Sequence, residues 1–152
     1  MSWALVVLTH QDADACATLH ATGFAKPWNA NEFEDLLQQV GVIGLGVVDA
    51  TGMLVGISAV QIVAGTADLL TIVVGPDARG QGAARYLMKG MISRLGERGI
   101  EQVILEVAED NDAAQKLYAW AGFQCDGRRK KYYTSGRETP VDAILMSLKM
   151  SL

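Results

Sequence analysis

Residues 69–85 read Leu-Leu-Thr-Ile-Val-Val-Gly-Pro-Asp-Ala-Arg-Gly-Gln-Gly-Ala-Ala-Arg, and this stretch decides the fold. The apolar run 69–74 predicts a strand, the Gly-Pro pair ends that strand, and a long amphipathic helix pattern begins at Ala83. A strand-to-helix turn exposes the unpaired N–H groups of the first helical turn and the positive end of the helix dipole. Because two positions of this turn are glycines, a ligand can approach its backbone closely. The turn therefore predicts a site for a phosphate or pyrophosphate.

The turn differs from two better-known phosphate-binding loops. No Lys-Ser/Thr pair follows its last small residue, which excludes the nucleotide-hydrolysing loop. Only Gly80 and Gly82 are glycines, and Arg85 occupies the position where a Gly-x-Gly-x-x-Gly dinucleotide motif needs a third. An ordinary strand-to-helix connection, with small residues for packing, is the alternative that the turn alone leaves open.

The composition indicates one globular domain over residues 1–152. A chain of 152 residues buries about 70% of its unfolded surface, so it needs no disulfide or metal to fold. No apolar run approaches the roughly 20 residues that a membrane helix requires. The apolar N-terminus lacks a basic leader and a cleavage pattern, so we expect a cytoplasmic protein without membrane association.

The net charge of −4 and the pI of about 5.1 argue against a nucleic-acid partner, because general binders need a basic face. Residues 128–131, Arg-Arg-Lys-Lys, are the local exception. A solvated edge is the favoured interpretation of this run, and contact with a phosphate or an acidic partner is the alternative. Cys16 and Cys125 lack metal-type spacing, so we expect two buried, reduced thiols. His10 and His20 are expected in the core or on the surface, and no metal site is predicted.

Hydrophobic periodicity predicts an α+β fold with a mixed sheet. Strands are expected at residues 3–8, 42–48, 53–62, 67–74, 102–107, 123–133 and 141–150. Helices are expected after Asp12, after Asn29, from residue 83 to about residue 99, and after Asn111, with these three polar residues as N-caps. Asn29 and Glu32 have the spacing of a capping box, and Gly122 is a suitable left-handed helix terminator.

A carboxylate interrupts the nearly continuous apolar strand 103–107. If Glu106 is partly buried, desolvation raises its pKa toward the range in which a general base works near neutral pH. A glutamate at a fraying, solvent-facing strand end is the alternative. Tyr118 follows on the next helix and can reach the same sheet edge, although core packing is an alternative role for it. Ligands collect at the carboxyl ends of strands, so we expect a cleft between strands 69–74 and 103–107.

These features together resemble the Gcn5-related N-acetyltransferase (GNAT) superfamily, and the likeness runs from about Leu5 to Met150. Residues 79–84, Arg-Gly-Gln-Gly-Ala-Ala, match its Gln/Arg-x-x-Gly-x-Gly/Ala signature, which binds the pyrophosphate of coenzyme A. The resemblance implies a single α+β domain with a mixed, mostly antiparallel sheet of about six to seven strands flanked by about four helices. It also implies acetyl-CoA as co-substrate and no metal.

The resemblance assigns roles to residues as well. It implies Glu106 as the base and Tyr118 as the acid, and it implies that Asn111 contacts the cofactor. Backbone groups of Ile72, Val73 and Val74 are expected to hold the acetyl carbonyl and the pantetheine arm, provided that a bulge frees an N–H donor from the sheet. The turn expected to bind the pyrophosphate comprises Arg79, Gly80, Gln81, Gly82, Ala83, Ala84 and Arg85.

Within the superfamily, the chain is similar to the bacterial ribosomal-protein-alanine acetyltransferases in the segments 27–28, 105–123 and 128–143. This similarity implies that the acceptor is the N-terminal α-amine of a ribosomal or other protein. Gly75 departs from the acidic residue that related enzymes often carry before the proline. Residues 139–141, Thr-Pro-Val, resemble a three-residue insertion in a hairpin that overhangs the acceptor site, which makes the acceptor less certain than the acetyl transfer.

Trp28 and Tyr133 are the candidates for lining the acceptor groove, because aromatic loop residues often anchor interfaces. Packing in a satellite core is the alternative for both. A lysine side chain or a small amine remains an alternative acceptor, and a non-catalytic acyl-CoA-binding module an alternative function. We expect a monomer or weak dimer.

Overall fold

The computed structural model describes residues 2–150. Its strands are β1 (Ala4–Val7), β2 (Val42–Val48), β3 (Leu54–Val63), β4 (Thr66–Val74), β5 (Gln102–Ala108), β6 (Gln124–Tyr133) and β7 (Val141–Lys149). Its α-helices are α1 (Ala13–Ala21), α2 (Ala30–Leu37), α3 (Ala83–Glu97) and α4 (Asp112–Ala121). Every predicted strand occurs, with ends displaced by at most one residue.

The seven strands form one sheet in the order β1-β2-β3-β4-β5-β7-β6. One core packs α3 and α4 against the sheet, and a smaller one contains buried residues of α1, α2, β3 and β4. All neighbouring strands pair antiparallel except β4 and β5, so the predicted mixed, mostly antiparallel sheet is confirmed.

The parallel pairing of β4 with β5 is short. It covers residues 66–68 of β4 against residues 102–104 of β5, whereas β5 pairs with β7 along its whole length. Beyond residue 68, β4 therefore diverges from β5, and a wedge opens between the carboxyl ends of the two strands. This is the sheet edge at which the sequence predicts a cleft.

A bulge bends β4 at the start of this wedge. Leu69 lies opposite Val60 of β3, but Thr71 lies opposite the adjacent residue Ala59, so Leu70 has no partner. An extra residue of this kind disrupts the ladder locally and increases the twist. The predicted role of residues 72–74 depends on a bulge in this strand, and the bulge lies at Leu70, two residues before Ile72.

Helix capping follows the sequence with one correction. The capping box of Asn29 and Glu32 is confirmed, with reciprocal hydrogen bonds of 2.8 and 3.1 Å. Asp12 occupies the N-cap position of α1, as predicted, but the expected capping hydrogen bond from its side chain is missing. Its carboxylate accepts instead from the Thr9 N–H at 2.8 Å and closes a capping box one turn earlier. A short 3-10 turn at His10–Asp12 displaces the cap in this way.

The long helix α3 buries its apolar stripe, including Leu87, Met88 and Met91, in the main core. Gly90 lies against Leu5 of β1 so closely that a Cβ there would collide with it. Gly90 therefore allows α3 and β1 to pack closely, and it is not a glycine that the helix merely tolerates.

The two cysteines differ. Cys16 is fully buried in α1, but Cys125 is exposed because β6 is an edge strand, so the prediction of a buried thiol is wrong for Cys125. Both thiols are free. Among the helices of residues 2–150, none is long and apolar enough to span a bilayer.

Candidate active site

A cavity of about 530 Å³, called the first cavity below, opens where β4 and β5 diverge. The helix α4, the loop after α1 and the loop between β6 and β7 complete its wall. The predicted site residues in this wall are Ile72, Glu106, Asn111, Tyr118 and Tyr133. A concave site with a few convergent polar groups is the usual form of a small-ligand pocket.

A second cavity, of about 810 Å³, adjoins the first. Trp28 contributes to its wall from the loop before α2, and Asp68 contributes from β4. The residues that line both cavities are Leu69, Leu70, Glu106 and Tyr133. Glu106 therefore stands where a group bound in one cavity would meet a group bound in the other.

Glu106 lies within β5 and not at a fraying end. Its backbone is opposite Leu145 of β7, and the pairing continues to Ala108. Its side chain is 30% exposed, and its Oε1 lies 3.4 Å from the Nε of Arg129. A half-buried carboxylate in a cavity wall is placed to accept a proton from a bound amine. This position fits a general base, and that role of Glu106 stays a prediction.

Tyr118 lies in the middle of α4, with its ring packed on Phe123 at a centroid distance of 5.7 Å. The residue is only 6% exposed and lines the first cavity. Burial, and then the neighbouring Tyr133, raises the pKa of the Tyr118 hydroxyl to about 12. The hydroxyl therefore keeps its proton at neutral pH and can donate a hydrogen bond into the cavity.

The amide groups of β4 beyond the bulge point in alternate directions. The N–H of Gly75 donates to the carbonyl of Val55 at 2.8 Å, on the β3 side. Because amides alternate along a strand, Val73 also faces β3, whereas Ile72 and Val74 face the wedge. Two of the three predicted backbone positions can thus reach a ligand there, and the amide of Val73 is engaged by the sheet.

The glycine turn leaves the N-terminus of α3 open. Gly80 and Gly82 have φ angles of 74° and 91°, and a Cβ at either position would meet no atom within 4 Å. The first helical hydrogen bond runs from the Tyr86 N–H to the Gly82 carbonyl at 3.0 Å, and no side chain of residues 2–150 caps this helix. The N–H groups of residues 83–85 are therefore free to bind an anion.

The polar side chains of the turn are engaged elsewhere. The Nε of Arg79 donates to the Val74 carbonyl at 2.9 Å, and Gln81 donates to a backbone carbonyl of the preceding turn at 2.9 Å. The guanidinium of Arg85 lies over the Trp120 ring, 4.7 Å from its centre. The turn therefore offers its backbone to a ligand. Residues 79–85 are absent from both cavity walls, so only an extended ligand could bridge the turn and the first cavity.

Sequence reasoning missed Asp68. It lies on β4 in the wall of the second cavity, where burial, and then Glu106, raises the pKa of its carboxyl. Asp68 interrupts an apolar strand just as Glu106 does, so the same signal could have identified it. His20 also lies behind the site, with its Nε2 3.1 Å from the Oγ1 of Thr71, but its sequence neighbours give no such signal.

A second residue that sequence reasoning missed is Arg137, which fixes a loop in the wall of the first cavity through an ion pair. Its Nε and Nη2 donate to the two carboxylate oxygens of Asp110 at 2.7 and 2.8 Å. This pair joins the loop between β6 and β7 to the segment before α4. Next to it, Gly136 approaches Ala25 so closely that a Cβ would lie 3.2 Å from the Ala25 Cβ. The loop between β6 and β7 and the loop after α1 thus meet over the first cavity.

The basic run 128–131 lies on the edge strand β6, as the solvated-edge interpretation predicts. Arg128 contacts Glu109 at 2.9 Å and Asp142 at 3.2 Å, and Arg129 pairs with Glu106. Two of the four charges are therefore balanced within the protein.

The family model of the GNAT acetyltransferases matches residues 13–123. A Bacillus subtilis (strain 168) relative, a putative ribosomal protein bS18-alanine N-acetyltransferase, is 31% identical over 136 residues, which cover 90% of this chain and 88% of that protein. The Escherichia coli (strain K12) ribosomal protein bS18-alanine N-acetyltransferase is 39% identical over 103 residues, 66% of this chain and 68% of that protein.

A solved structure agrees with these relatives. The crystal structure of the ribosomal-protein-S18-alanine N-acetyltransferase from Escherichia coli superposes with a TM-score of 0.91 and 28% identity, covering 99% of this chain and 96% of that one. The resemblance drawn from the glycine turn and from Glu106 is confirmed at the level of family and fold. The chain belongs to the GNAT acetyltransferase family and is an acetyl-CoA-dependent N-acetyltransferase.

Proposed function

We propose that this chain transfers the acetyl group of acetyl-CoA to the N-terminal α-amine of a protein, with an N-terminal alanine of a ribosomal protein as the first candidate. The observation that carries the proposal is the position of Glu106 in the wall common to both cavities. The first cavity takes the acetyl thioester, and the second takes the end of the acceptor chain. The names of the relatives support the choice of acceptor.

The chain holds the co-substrate at three places. The free N–H groups of residues 83–85 bind the pyrophosphate, and the amides of Ile72 and Val74 bind the pantetheine arm and the acetyl carbonyl. Asn111 accepts from the Ala114 N–H at 3.2 Å through its side-chain oxygen, which leaves its amide NH₂ to donate to the cofactor.

Attack requires a neutral amine. An α-amino group has an unperturbed pKa near 8, against about 10.4 for lysine, so deprotonating it at neutral pH costs about 3 kcal/mol less. Glu106 accepts this proton, directly or through a water molecule. The difference favours an α-amine over a lysine side chain as the acceptor.

Collapse of the tetrahedral intermediate forms the amide and releases the thiolate. A wedge-facing N–H of β4 stabilises the oxyanion before collapse. Full proton transfer from a Tyr118 hydroxyl of pKa about 12 to a thiolate of pKa about 8.5 is uphill by roughly 5 kcal/mol. Tyr118 therefore donates a hydrogen bond to the departing sulfur, and the proton lost by the amine balances the one that the sulfur finally gains.

Acetylation of three acceptors tests the proposal: a peptide beginning with alanine, the same peptide with a blocked N-terminus and an internal lysine, and spermidine. We expect product from the first alone. Glu106→Gln should lower kcat at least about 100-fold, the scale of a lost general base. The exposed Glu101 is the matched control, and Glu101→Gln should leave kcat unchanged. Activity on spermidine alone, or full turnover by Glu106→Gln, would overturn the proposal.

We further propose that residues 1–152 act as one domain in the cytoplasm, as a monomer or weak dimer without nucleic-acid or membrane partners. The net charge of −4 supports the lack of a nucleic-acid partner. Light scattering across a concentration series tests the oligomeric state, and a stable dimer at low concentration would contradict it.

A further inference from the structure

His20 is a buried histidine whose two ring nitrogens are both engaged. It lies in α1 and is 2% exposed. The backbone N–H of Trp28 donates to its Nδ1 at 3.0 Å, and its Nε2 lies 3.1 Å from the Oγ1 of Thr71. An amide N–H can only donate, so Nδ1 carries no proton and Nε2 carries the proton that it donates to Thr71.

The two partners of His20 belong to different cavities. Thr71 lines the first cavity directly after the bulge of β4, and Trp28 lines the second. The His20 ring stacks between Phe24, at a centroid distance of 4.1 Å, and Trp28, at 4.8 Å. His20 itself lines neither cavity, so it connects the two walls from behind.

The loop between α1 and α2, residues 22–29, has few other hydrogen bonds, although Ala25 packs against Gly136 and Trp28 against Phe33. Within residues 2–150, residues 24–27 make no hydrogen bond to the rest of the protein. The loop is anchored at one end by the Gly23 N–H, which donates to the His20 carbonyl at 3.2 Å, and at the other by the Trp28 N–H. Both anchors are atoms of His20, and Arg79 adds a hydrogen bond of 3.3 Å to the Thr22 carbonyl just before the loop. Loss of the Nδ1 acceptor therefore removes the hydrogen bond at the acceptor-side end of the loop.

Neutral His20 suits this role. Burial lowers the pKa of His20 to about 4, against a smaller opposing effect of Glu32. The ring is therefore uncharged at neutral pH, and Nδ1 stays available as an acceptor.

We propose that His20 is a positioning residue for acetyl transfer, which fixes the acceptor-binding loop at Trp28 relative to the bulged strand at Thr71. The inference rests on the proposed function, because it assigns the second cavity to the acceptor. The Trp28 bond sets how well the acceptor binds, and the Thr71 bond sets how well the first cavity is shaped for the reaction.

Two substitutions separate the two hydrogen bonds. His20→Asn places an amide oxygen near the Nδ1 position and keeps the acceptor for Trp28, whereas His20→Gln places an amide NH₂ near Nε2 and keeps the donor to Thr71. We expect His20→Gln to raise the acceptor KM about tenfold with a smaller change in kcat. His20→Asn should lower kcat severalfold and hold the acceptor KM within about threefold. His20→Phe keeps a ring for stacking, loses both bonds and should show both defects.

Hydrogen exchange of the Trp28 amide reports the tie without any acceptor. It should be slow in the wild type and in His20→Asn, and fast in His20→Gln and His20→Phe. Acetyl-CoA affinity should stay within twofold in every variant. His10→Asn, at an exposed histidine, is the control for both measurements and should match the wild type. Thr71→Val, which keeps shape and leaves His20 in place, should reproduce the loss of kcat in His20→Asn.

Two outcomes would overturn the inference. One is a Trp28 amide that stays protected in His20→Gln and His20→Phe. The other is a released amide with kcat and acceptor KM within twofold of wild type. The kinetics use whichever amine the wild type acetylates, so a wild type that rejects the alanine peptide refutes the proposed function and leaves this test intact.

Discussion

At the scale of single residues, Asp68 and Glu106 place two carboxylates in the wall of one cavity. Burial, and then Glu106, raises the pKa of Asp68, so its charged form is less stable in the folded protein than in the unfolded chain. A carboxyl with a raised folded pKa destabilises the fold above that pKa, and the penalty disappears as the pH falls below the unfolded value. An acceptor arriving as an ammonium ion would offset this repulsion.

Asp68→Asn should therefore stabilise the free enzyme and weaken acceptor binding. We expect a higher Tm than wild type at pH 7, a difference that shrinks as the pH is lowered through the range in which Asp68 becomes protonated, and a raised acceptor KM. Thermal melts at several pH values and steady-state kinetics measure these effects. A lower Tm at pH 7 would show that the carboxylate is stabilised in the fold.

Tyr118→Phe should lower kcat about tenfold to a hundredfold, and acetyl-CoA affinity should remain within twofold. The phenol is protonated at any working pH, since its pKa lies near 12, and it supplies one hydrogen bond to the departing sulfur. Steady-state kinetics and calorimetric titration with acetyl-CoA measure the two quantities. Equal loss of affinity and of kcat would assign the Tyr118 hydroxyl to cofactor binding.

Glu106 could be recognised from the sequence as a candidate site residue, because burying a charge within an apolar strand costs free energy and therefore calls for an explanation. His20 could not be recognised in that way. Its partner Thr71 lies 51 residues away, and nothing local distinguishes a histidine with two buried hydrogen bonds from one filling the core. Arg137 and Asp110 could not be recognised from the sequence for the same reason, because their pairing depends on how two segments distant in the chain meet.

At the scale of elements, the start of α3 combines a left-handed glycine turn with unpaired amides. Gly82 has a φ of 91°, in the left-handed region, and so does Gly52 in the turn after β2, at 87°. A Cβ at either glycine would meet no atom within 4 Å. The two positions share the same left-handed backbone conformation, but only Gly82 borders the predicted pyrophosphate site.

Gly82→Ala and Gly52→Ala should each lower the free energy of unfolding by about 1 kcal/mol, the cost of left-handed backbone for an L residue. Only Gly82→Ala should raise the dissociation constant of acetyl-CoA, by tenfold or more, because its methyl group occupies the approach to the free N–H groups. Chemical denaturation and ligand titration of both variants measure this. Equal affinities in the two variants would place the pyrophosphate elsewhere.

Elements were predictable where the signal is local. The capping box at Asn29 and the terminator at Gly122, with a φ of 102°, follow from residue types at fixed spacing. The role of the Asp12 side chain was misassigned because its carboxylate accepts from the N–H of Thr9, three residues earlier, and not from an N–H of α1. The bulge at Leu70 depends on the register of β4 against β3, which no short window of sequence reveals.

At the scale of the whole molecule, the wedge divides the sheet. The strands β1 to β4 form one part and β5 to β7 the other, and three residue pairs join them directly. The main core, with α3 and α4, spans both parts. Strand order of this kind was beyond prediction from periodicity, because it requires knowing that β7 inserts between β5 and β6.

A ligand that fills the wedge should therefore stabilise the whole fold. At 100 times its dissociation constant, acetyl-CoA adds about 2.7 kcal/mol to the free energy of unfolding, which corresponds to a Tm increase of roughly 5 to 10 °C for a domain of this size. Acetyl-pantetheine, which lacks the pyrophosphate, should at equal concentration give a much smaller increase, since the N–H groups of residues 83–85 stay unoccupied.

Hydrogen exchange locates the same effect along β4. The amides of Ile72 and Val74 face the wedge and should exchange fast in the free enzyme, whereas Val73 donates toward β3 and should be protected. With acetyl-CoA bound, Ile72 and Val74 should become slow and Val73 should change little. Uniform protection of all three amides would mean that the ligand tightens the fold without contacting this strand, and the assignment of the wedge as the path of the pantetheine arm would then be wrong.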